Sequence, residues 1–248
     1  MLPQIIQFIV KQSKQITPTV LHLALERSDN KPFNFIPGQF ITVHFEHENK
    51  TIRRSYSVAT IPGQTELTEI AVSYVEHGLG TQYLFGLKLE EEVSITGPFG
   101  RLILGNEKPQ RYLLIATGTG VTPYRSMLPE LEKRLNEQAN LEIIVMQGVR
   151  TPIDLLYGDD FVELMQRNSR FKFYACYSRE MPANPQDYEQ SGYVTALIRK
   201  LNVQPQNDMV YLCGNPNMID EIFTYLKQQE FNTESIRREK YISPVTKK

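Results

Sequence analysis

Residues 112–123 read YLLIATGTGVTP, an apolar run that passes through a glycine-rich turn. The run Tyr112 to Ala116 predicts a buried strand, and Thr122 and Pro123 are typical of a helix N-cap and first helical residue. Such a turn leaves free backbone N–H groups at the carboxyl end of a parallel strand, where nucleotide phosphates bind. The stretch predicts an α/β domain with a nucleotide site; a strand–helix turn without a ligand is the alternative.

The chain after this stretch repeats the alternation of apolar runs and helical segments. Strands are predicted at Leu141 to Met146, Phe171 to Cys176 and Met209 to Cys213. After the last of them, Asn215 is placed to cap a helix that Pro216 begins. This alternation predicts a parallel sheet with helices on both faces.

The chain before this stretch is a series of short strands separated by turn residues. Regularly spaced strands of this kind predict a closed antiparallel barrel, with one short helix at 81–87. The segment 97–100, Gly-Pro-Phe-Gly, is predicted to be a turn that closes the barrel. A polar connector at 104–110 divides the chain, so we predict two domains, 1–107 and 108–248. The predicted strands are Ile5–Val10, Thr19–Glu26, Phe40–Glu46, Ile52–Ala59, Leu67–Val75 and Val93–Thr96.

Composition excludes several classes of protein. The net charge of −1 gives no indication of nucleic acid or an anionic membrane as partner. Two cysteines are too few for a disulfide framework or an iron–sulfur cluster, and no metal site is predicted. No apolar stretch approaches the roughly 18 residues of a membrane span, and no signal peptide is visible, so we expect a cytoplasmic protein.

Three short motifs in order carry a family resemblance. They are RSYS at 54–57, the glycine-rich turn at 118–123 and CGNPNM at 213–218. Together they resemble the ferredoxin–NADP reductase family of flavoproteins, and the resemblance covers about residues 4–241. It implies an FAD-binding β-barrel domain followed by a Rossmann-like NADP-binding domain.

The resemblance assigns the flavin to the first domain. Arg54 would pair with the FAD pyrophosphate, Tyr56 would stack on the isoalloxazine, and the Ser57 hydroxyl would bond flavin N5. Ser55 completes the motif and faces away from Arg54 and Tyr56 on a strand. An ordinary barrel strand is the alternative reading of these four residues.

A glycine-rich segment after the fifth predicted strand is the second part of this flavin site. The family holds the pyrophosphate here, which implies roles for Gly78 and Gly80, with Thr81 as a helix N-cap. A glycine-rich hairpin followed by a capped helix would read the same way without a ligand.

The resemblance assigns the nicotinamide nucleotide to the second domain. Thr119 would lie near both cofactors, and Arg150 would contact the dinucleotide phosphates. Ser178 and Arg179 offer a hydroxyl and a cation for a 2′-phosphate, whereas a carboxylate typically holds the free ribose hydroxyl of NAD, so we favour NADPH. Tyr193 would stack on adenine or reach the phosphate; a surface Ser-Arg pair is the alternative. The turn itself contributes Gly118, Thr119, Gly120 and Pro123.

A last strand is predicted at Ile236 to Ile242. The resemblance places the reacting end of the nucleotide site near this strand and near the end of the strand before it. In the family a cysteine like Cys213 sits beside the nicotinamide–flavin contact, with Gly214 following it and Met218 packed below. Glu239 would line the active site, and Tyr241 would cover the flavin and move aside for NADPH. A cysteine at a buried strand end is often only a small hydrophobe, and Cys176 is read that way. For the tail at 242–248 the expectation stays open between folding over the flavin adenine, as in some bacterial members of the family, and fraying.

The expected function is hydride transfer from NADPH to FAD, followed by single-electron transfer to ferredoxin or flavodoxin, by a monomer. The acidic partner would dock on a basic face, although ordinary solvated charge explains the same residues. Alternatives are an NAD(P)H flavin reductase or diaphorase, the reductase component of an oxygenase, and a flavin-binding module without turnover. The basic residues are Arg53, Arg101, Arg237, Arg238 and Lys240.

Overall fold

The computed structural model describes residues 4–242 as two compact units. The first unit contains residues 4–104 and 122–127, and the second contains residues 105–121 and 128–242. The predicted division at 107/108 stays a prediction.

The first unit is built on a six-stranded antiparallel sheet in the order β4-β3-β6-β1-β2-β5. The ends of this sheet meet through a bridge between Val58 and Ile70 and a bond from the Ala59 N–H to the Glu69 carbonyl, at 2.7 Å. The predicted antiparallel barrel is therefore confirmed. Its elements are β1 (Ile6–Thr17), β2 (Val20–Arg27), β3 (Phe40–His47), β4 (Lys50–Ser57), β5 (Thr68–Ser73), α1 (Leu79–Gly86) and β6 (Glu92–Phe99).

Alternating side chains from these strands fill the interior of the barrel. Ile41, Val43 and Phe45 of β3 are buried, whereas the residues between them are half-exposed. This period of two places one residue in two on the core side of a strand. The helix α1 adds Leu84, which is fully buried.

The second unit is built on a six-stranded parallel sheet in the order β10-β9-β8-β7-β11-β12. Its central strands β7, β8 and β11 are buried along nearly their whole length, as strands of a parallel sheet with helices between them are. The predicted parallel α/β sheet is confirmed. The elements from β7 onward are β7 (Arg111–Thr117), α2 (Thr122–Glu137), β8 (Glu142–Val149), α3 (Gly158–Arg167), β9 (Phe171–Tyr177), β10 (Glu189–Ser191), α4 (Val194–Lys200), β11 (Asp208–Gly214), α5 (Pro216–Gln228) and β12 (Ile236–Lys240).

Two local predictions were wrong. The segment Gly97 to Phe99 is the end of strand β6 and not a turn, because Phe40 of β3 still pairs with Phe99. The three-residue strand β10 was not predicted, since Glu189 to Ser191 carries neither an apolar run nor a β-branched residue.

Candidate functional site

Arg54 and Tyr56 lie on one face of β4, as the period of two predicts. They stand opposite Val43 and Ile41 of β3. The Arg54 guanidinium bonds only the Arg53 carbonyl, at 2.7 Å, and has no carboxylate partner among residues 4–242. Burial raises the pKa of Tyr56 to about 12, so its hydroxyl stays protonated. A cation without a counter-ion beside a neutral phenol suits an anionic ligand.

The glycine-rich segment approaches these two side chains directly. A Cβ at Gly80 would lie 2.9 Å from Arg54 Cγ and 2.9 Å from the Tyr56 hydroxyl. Only glycine lets α1 come this close to β4. The residues that the motif predicts for the FAD pyrophosphate are therefore brought together, and the cradle fits an anionic group.

The two serines of the motif face away from Arg54. Ser55 is exposed, and its hydroxyl lies 3.1 Å from that of Thr42. Ser57 is buried at the end of β4. Both positions agree with the predicted alternation.

Thr81 is not the N-cap that the sequence predicted. The helix α1 begins at Leu79, and its N-cap is Gly78, which offers no side-chain bond. Thr81 is the third helical residue, and its hydroxyl oxygen accepts the Val75 N–H at 3.0 Å. Among residues 4–242 the hydroxyl proton has no acceptor, although the side chain is buried.

The glycine turn of the second unit is one turn of 3-10 helix, from Gly118 to Val121. Gly118 has a φ of +53°, and a Cβ at Gly120 would overlap the Cys213 carbonyl. Thr122 is the first residue of α2 and not its cap, because the 3-10 turn runs directly into the helix and Val121 takes the cap position. Thr119 is half-buried and Pro123 is buried.

The ends of β7 and β11 are joined at this turn. The Asn215 N–H donates to the Thr117 hydroxyl at 2.9 Å, a contact that the sequence did not indicate. Gly214 has a φ of +116°, and a Cβ there would lie 2.6 Å from the same hydroxyl. Asn215 is the predicted N-cap of α5, and its side chain accepts the N–H groups of Asn217 and Met218.

Cys213, Glu239 and Tyr241 come together at the carboxyl ends of β11 and β12. Cys213 stands in register with Glu239, and the Tyr241 N–H donates to the Gly214 carbonyl at 2.8 Å. Burial raises the pKa of the Cys213 thiol well above its usual value; the Glu239 carboxylate raises it further, and a Tyr241 hydrogen bond opposes the shift. This direction of the pKa shift favours the neutral thiol.

Arg150, Ser178 and Arg179 come together at the carboxyl ends of β8 and β9. The Arg179 N–H donates to the Arg150 carbonyl at 2.9 Å, and the Ser178 N–H donates to the Val149 carbonyl at 3.0 Å. Both arginines are exposed, and neither forms an ion pair within residues 4–242. Tyr193 is the N-cap of α4 and is 67% exposed, as a platform for a planar ligand would be.

The predicted basic face is largely engaged in contacts within the chain. Arg237 pairs with Glu107, Lys240 lies 2.6 Å from Asp220, and the Arg238 guanidinium sits 3.9 Å from the Phe223 ring centroid. Arg53 and Arg101 are exposed and have no ion pair in the described part of the chain.

Residues 4–242 contain neither a membrane-spanning helix nor a cluster of metal ligands. None of the helices there is both long and apolar enough to cross a membrane. No group of three or more potential metal ligands occurs there either.

Comparison with known proteins gives two domain families. Oxidoreductase FAD-binding domains match residues 7–103, and oxidoreductase NAD-binding domains match residues 114–223. The first match covers the barrel with Arg54 and Tyr56, and the second covers the glycine turn and Cys213.

Individual proteins match over most of the chain. Ferredoxin–NADP reductase B of Sorangium cellulosum is 30% identical over 212 residues, which are 83% of this chain and 84% of that protein. The reductase component of propane 2-monooxygenase from Mycolicibacterium smegmatis is 28% identical over 92% of this chain, which spans about two thirds (65%) of that protein. A crystal structure of a ferredoxin NADP+ reductase from Neisseria gonorrhoeae with bound FAD and NADP shares the fold, with a TM-score of 0.79 at 21% identity over 95% of this chain and 98% of that one.

Proposed function

The chain belongs to the ferredoxin–NADP reductase family of FAD- and NAD-binding oxidoreductases, and we propose that it transfers a hydride from NADPH to FAD and passes single electrons to ferredoxin or flavodoxin. FAD, when bound, accepts the electron pair and releases it one electron at a time. The electron acceptor is a carrier outside these 248 residues, whose two cysteines cannot ligate an iron–sulfur cluster.

The observation that supports the choice of NADPH is the backbone link that brings the positions of Arg150, Ser178 and Arg179 together at the ends of β8 and β9. Neither guanidinium has a carboxylate partner among residues 4–242, and two such cations suit a phosphate. The Ser178 hydroxyl donates to the Val149 carbonyl at 3.3 Å and would turn from it to donate to the phosphate. The exposed Tyr193 ring supplies the stacking surface for adenine. A site for the free 2′-hydroxyl of NAD would offer a carboxylate acceptor instead.

In the first unit the residues hold the flavin. Arg54 binds the pyrophosphate, the α1 backbone at Gly78 and Gly80 approaches it closely, and the Thr81 hydroxyl proton donates to it. Tyr56 stacks on the isoalloxazine, and the Ser57 hydroxyl hydrogen-bonds flavin N5.

In the second unit the residues orient the nicotinamide. Gly118, Gly120 and Pro123 shape the turn that receives the pyrophosphate, and Thr119 contacts the nicotinamide end. Cys213 offers a neutral surface at the reacting ring, above Met218, and Glu239 polarises it. Tyr241 excludes water and moves aside when NADPH enters.

An anaerobic titration tests the hydride step. Flavin absorbance is followed while NADPH is added, and NADH in a parallel run. We expect NADPH to bleach the flavin at far lower concentration. A bound flavin that neither nucleotide bleaches would contradict the proposal and favour a flavin-binding module without turnover.

Substitution of Arg179 tests the choice of nucleotide. We expect Arg179→Ala to raise KM for NADPH roughly tenfold, because a charge-assisted hydrogen bond contributes about 1.5–3 kcal/mol, and to leave KM for NADH unchanged. Arg199→Ala is the matched control, since Arg199 is an exposed cation of the same unit, paired with Glu221 at 3.4 Å. An equal effect of Arg179→Ala on both nucleotides would rule out a 2′-phosphate contact.

A reductase component of an oxygenase is the second candidate, favoured by the similarity to the propane 2-monooxygenase reductase component. A diaphorase is the third. Steady-state rates with ferredoxin, flavodoxin and free flavin distinguish them: a clear preference for free flavin identifies the diaphorase. If the rates with ferredoxin and with flavodoxin both stayed below the rate with ferricyanide, an oxygenase partner would be indicated.

A further inference from the structure

Gln147 is a fully buried polar side chain within the apolar strand β8. Its amide nitrogen donates to the Leu156 carbonyl at 3.0 Å, and its amide oxygen accepts the Leu156 N–H at 3.3 Å. This orientation is assigned from the partners, since the opposite one leaves only a 3.5 Å contact with the Gly118 carbonyl. The side chain thus pairs with Leu156 at two points, as a neighbouring strand residue would.

Leu156 lies near the end of the loop 150–157, which connects β8 to α3. The start of the same loop is closed by Thr151, whose N–H and hydroxyl both donate to Asp154 Oδ2, at 3.1 and 2.9 Å. Leu156 is buried, so without Gln147 its backbone groups would be left unpaired away from water. Two sets of hydrogen bonds therefore hold the loop: those between Thr151 and Asp154 at its start, and those between Leu156 and Gln147 of β8 near its end.

The loop begins with Arg150, and the backbone there is linked to Ser178 and Arg179. The Arg150 carbonyl accepts the Arg179 N–H, and the Val149 carbonyl accepts both the N–H and the hydroxyl of Ser178, the latter at 3.3 Å. A displacement of the loop would therefore move the Arg150 guanidinium and loosen its link to Arg179.

We propose that Gln147 is a positioning residue of the nucleotide site: its amide fixes the loop 150–157 and thereby holds Arg150 against a phosphate of the nucleotide. The inference rests on the proposed function, because it takes that phosphate as the ligand of Arg150. Gln147 itself touches no ligand and acts through the loop.

A double-mutant cycle of Gln147→Met and Arg150→Ala tests this coupling in the FAD-loaded protein. Methionine keeps the length of the side chain and removes both hydrogen bonds. We expect Gln147→Met to weaken the binding of 2′-phospho-AMP about tenfold, because the variant loses one or two net hydrogen bonds. The kcat at saturating NADPH, with ferricyanide as the electron acceptor, should stay within twofold of the wild-type value. In the Arg150→Ala background the same change should weaken binding less than twofold. Equal losses in both backgrounds would overturn the proposal.

Ile144→Val is the matched control for general destabilisation. Ile144 is buried on the same strand in a core cluster that includes no residue of the loop 150–157, and its substitution by valine removes one methylene group. We expect a lowered melting temperature and unchanged affinity for 2′-phospho-AMP. If this control weakened nucleotide binding as Gln147→Met does, the effect of Gln147 would be one of stability alone.

Amide hydrogen exchange at Leu156 separates the two ways of failing. The Leu156 N–H should be protected in the wild-type protein and exchange at least tenfold faster in Gln147→Met, whatever the nucleotide. Wild-type protein that fails to bind 2′-phospho-AMP would contradict the proposed function. Unchanged exchange at Leu156 would contradict the role of Gln147. If Gln147→Met does not fold, Asp154→Ala replaces it in the test, because it removes the hydrogen bonds between Thr151 and Asp154 that close the start of the loop. The double-mutant cycle of Asp154→Ala with Arg150→Ala should then show the same coupling. No coupling between these two positions would contradict the proposal.

Discussion

Gly80 is the residue whose lack of a side chain matters most for the flavin site. A Cβ on Gly80 would meet the base of the Arg54 side chain and the hydroxyl oxygen of Tyr56, which is fixed to a rigid ring. Neither atom can move without moving the side chain that is proposed to bind FAD. Steric space, and not backbone conformation, therefore requires glycine at this position.

Gly80→Ala should weaken FAD binding. Overpacking typically costs about 1–3 kcal/mol, which corresponds to a roughly fivefold to 150-fold increase in the FAD Kd. The measurement is flavin fluorescence on dilution. Gly86→Ala in the same helix is the control, because a Cβ there meets nothing within 4 Å and alanine stabilises a helix by about 0.5–1 kcal/mol. Equal Kd values for the two variants would contradict a close contact at Gly80.

Residue patterns predicted some of these neighbours and missed others. The alternation along β4 was enough to place Arg54 and Tyr56 on one face, since a strand has a fixed period. The contacts of Gln147 and Thr117 had no signal, because each is a side chain bonded to a backbone group distant in sequence.

Helix starts show where element-level prediction loses precision. The structure starts α1 two residues earlier than the sequence predicted and α2 at Thr122 itself. In both cases a threonine was taken as the cap, but the preceding backbone already had the geometry to begin the helix. At α5 the prediction was right, because Asn215 does accept the N–H groups of the first turn.

Loss of that cap should destabilise the second unit. Asn215→Ala leaves the Asn217 N–H without its 2.8 Å partner, and we expect the free energy of unfolding to fall by about 1 kcal/mol in urea titrations. Asn215→Asp should retain wild-type stability, since aspartate caps equally well. If both variants lost the same amount, the packing of the asparagine and not its cap would be responsible.

The strand β12 was predicted as an element, but its register was not. Its start at Ile236 agrees, whereas its end is Lys240 in place of Ile242. Only the parallel pairing with β11 places Glu239 opposite Cys213. Register depends on both strands, so one strand's sequence could not indicate it.

At the scale of the molecule, the burial of protonated cysteine and tyrosine side chains makes the stability of the fold depend on pH. Burial raises the pKa of Cys176 to about 12, and those of Tyr56 and Tyr211 to about 12 as well. Unfolding restores pKa values near 8.5 for cysteine and 10 for tyrosine. Each group therefore holds its proton more tightly in the folded protein than in the unfolded one.

Stability should consequently fall as the pH rises. The contribution of Cys176 is fully present below about pH 8.5 and is lost at about 1.4 kcal/mol per pH unit as the pH rises toward 12. Urea unfolding from pH 7 to 11 measures this slope. Cys176→Ala should reduce the slope by about that amount between pH 9.5 and 11. The difference in free energy of unfolding between the two proteins at pH 7 measures the packing that the variant loses, and it is subtracted at each higher pH. An unchanged slope would mean that Cys176 does not titrate with unfolding.

The two sheets were predictable from the sequence because their hydrophobic patterns differ along the chain. Period-two alternation before residue 100 and continuous apolar runs after residue 111 are local properties. The strand order is not local: β7 pairs with β11, so that Arg111 faces Asp208 across 97 residues of chain. The short strand β10 lies at the edge of the sheet beside β9, and its own residues show no pattern typical of a strand.

The pairing of β12 with β11 also has a consequence during synthesis of the chain. At about 5–20 residues per second, a ribosome needs roughly one to five seconds to make the stretch from Gly214 to Lys240. Until then, the nascent sheet presents the unpaired N–H and C=O groups of β11, a strand that is buried along its whole length in the finished sheet, along an open edge. Chaperones that recognise extended apolar segments have their best binding opportunity in this interval.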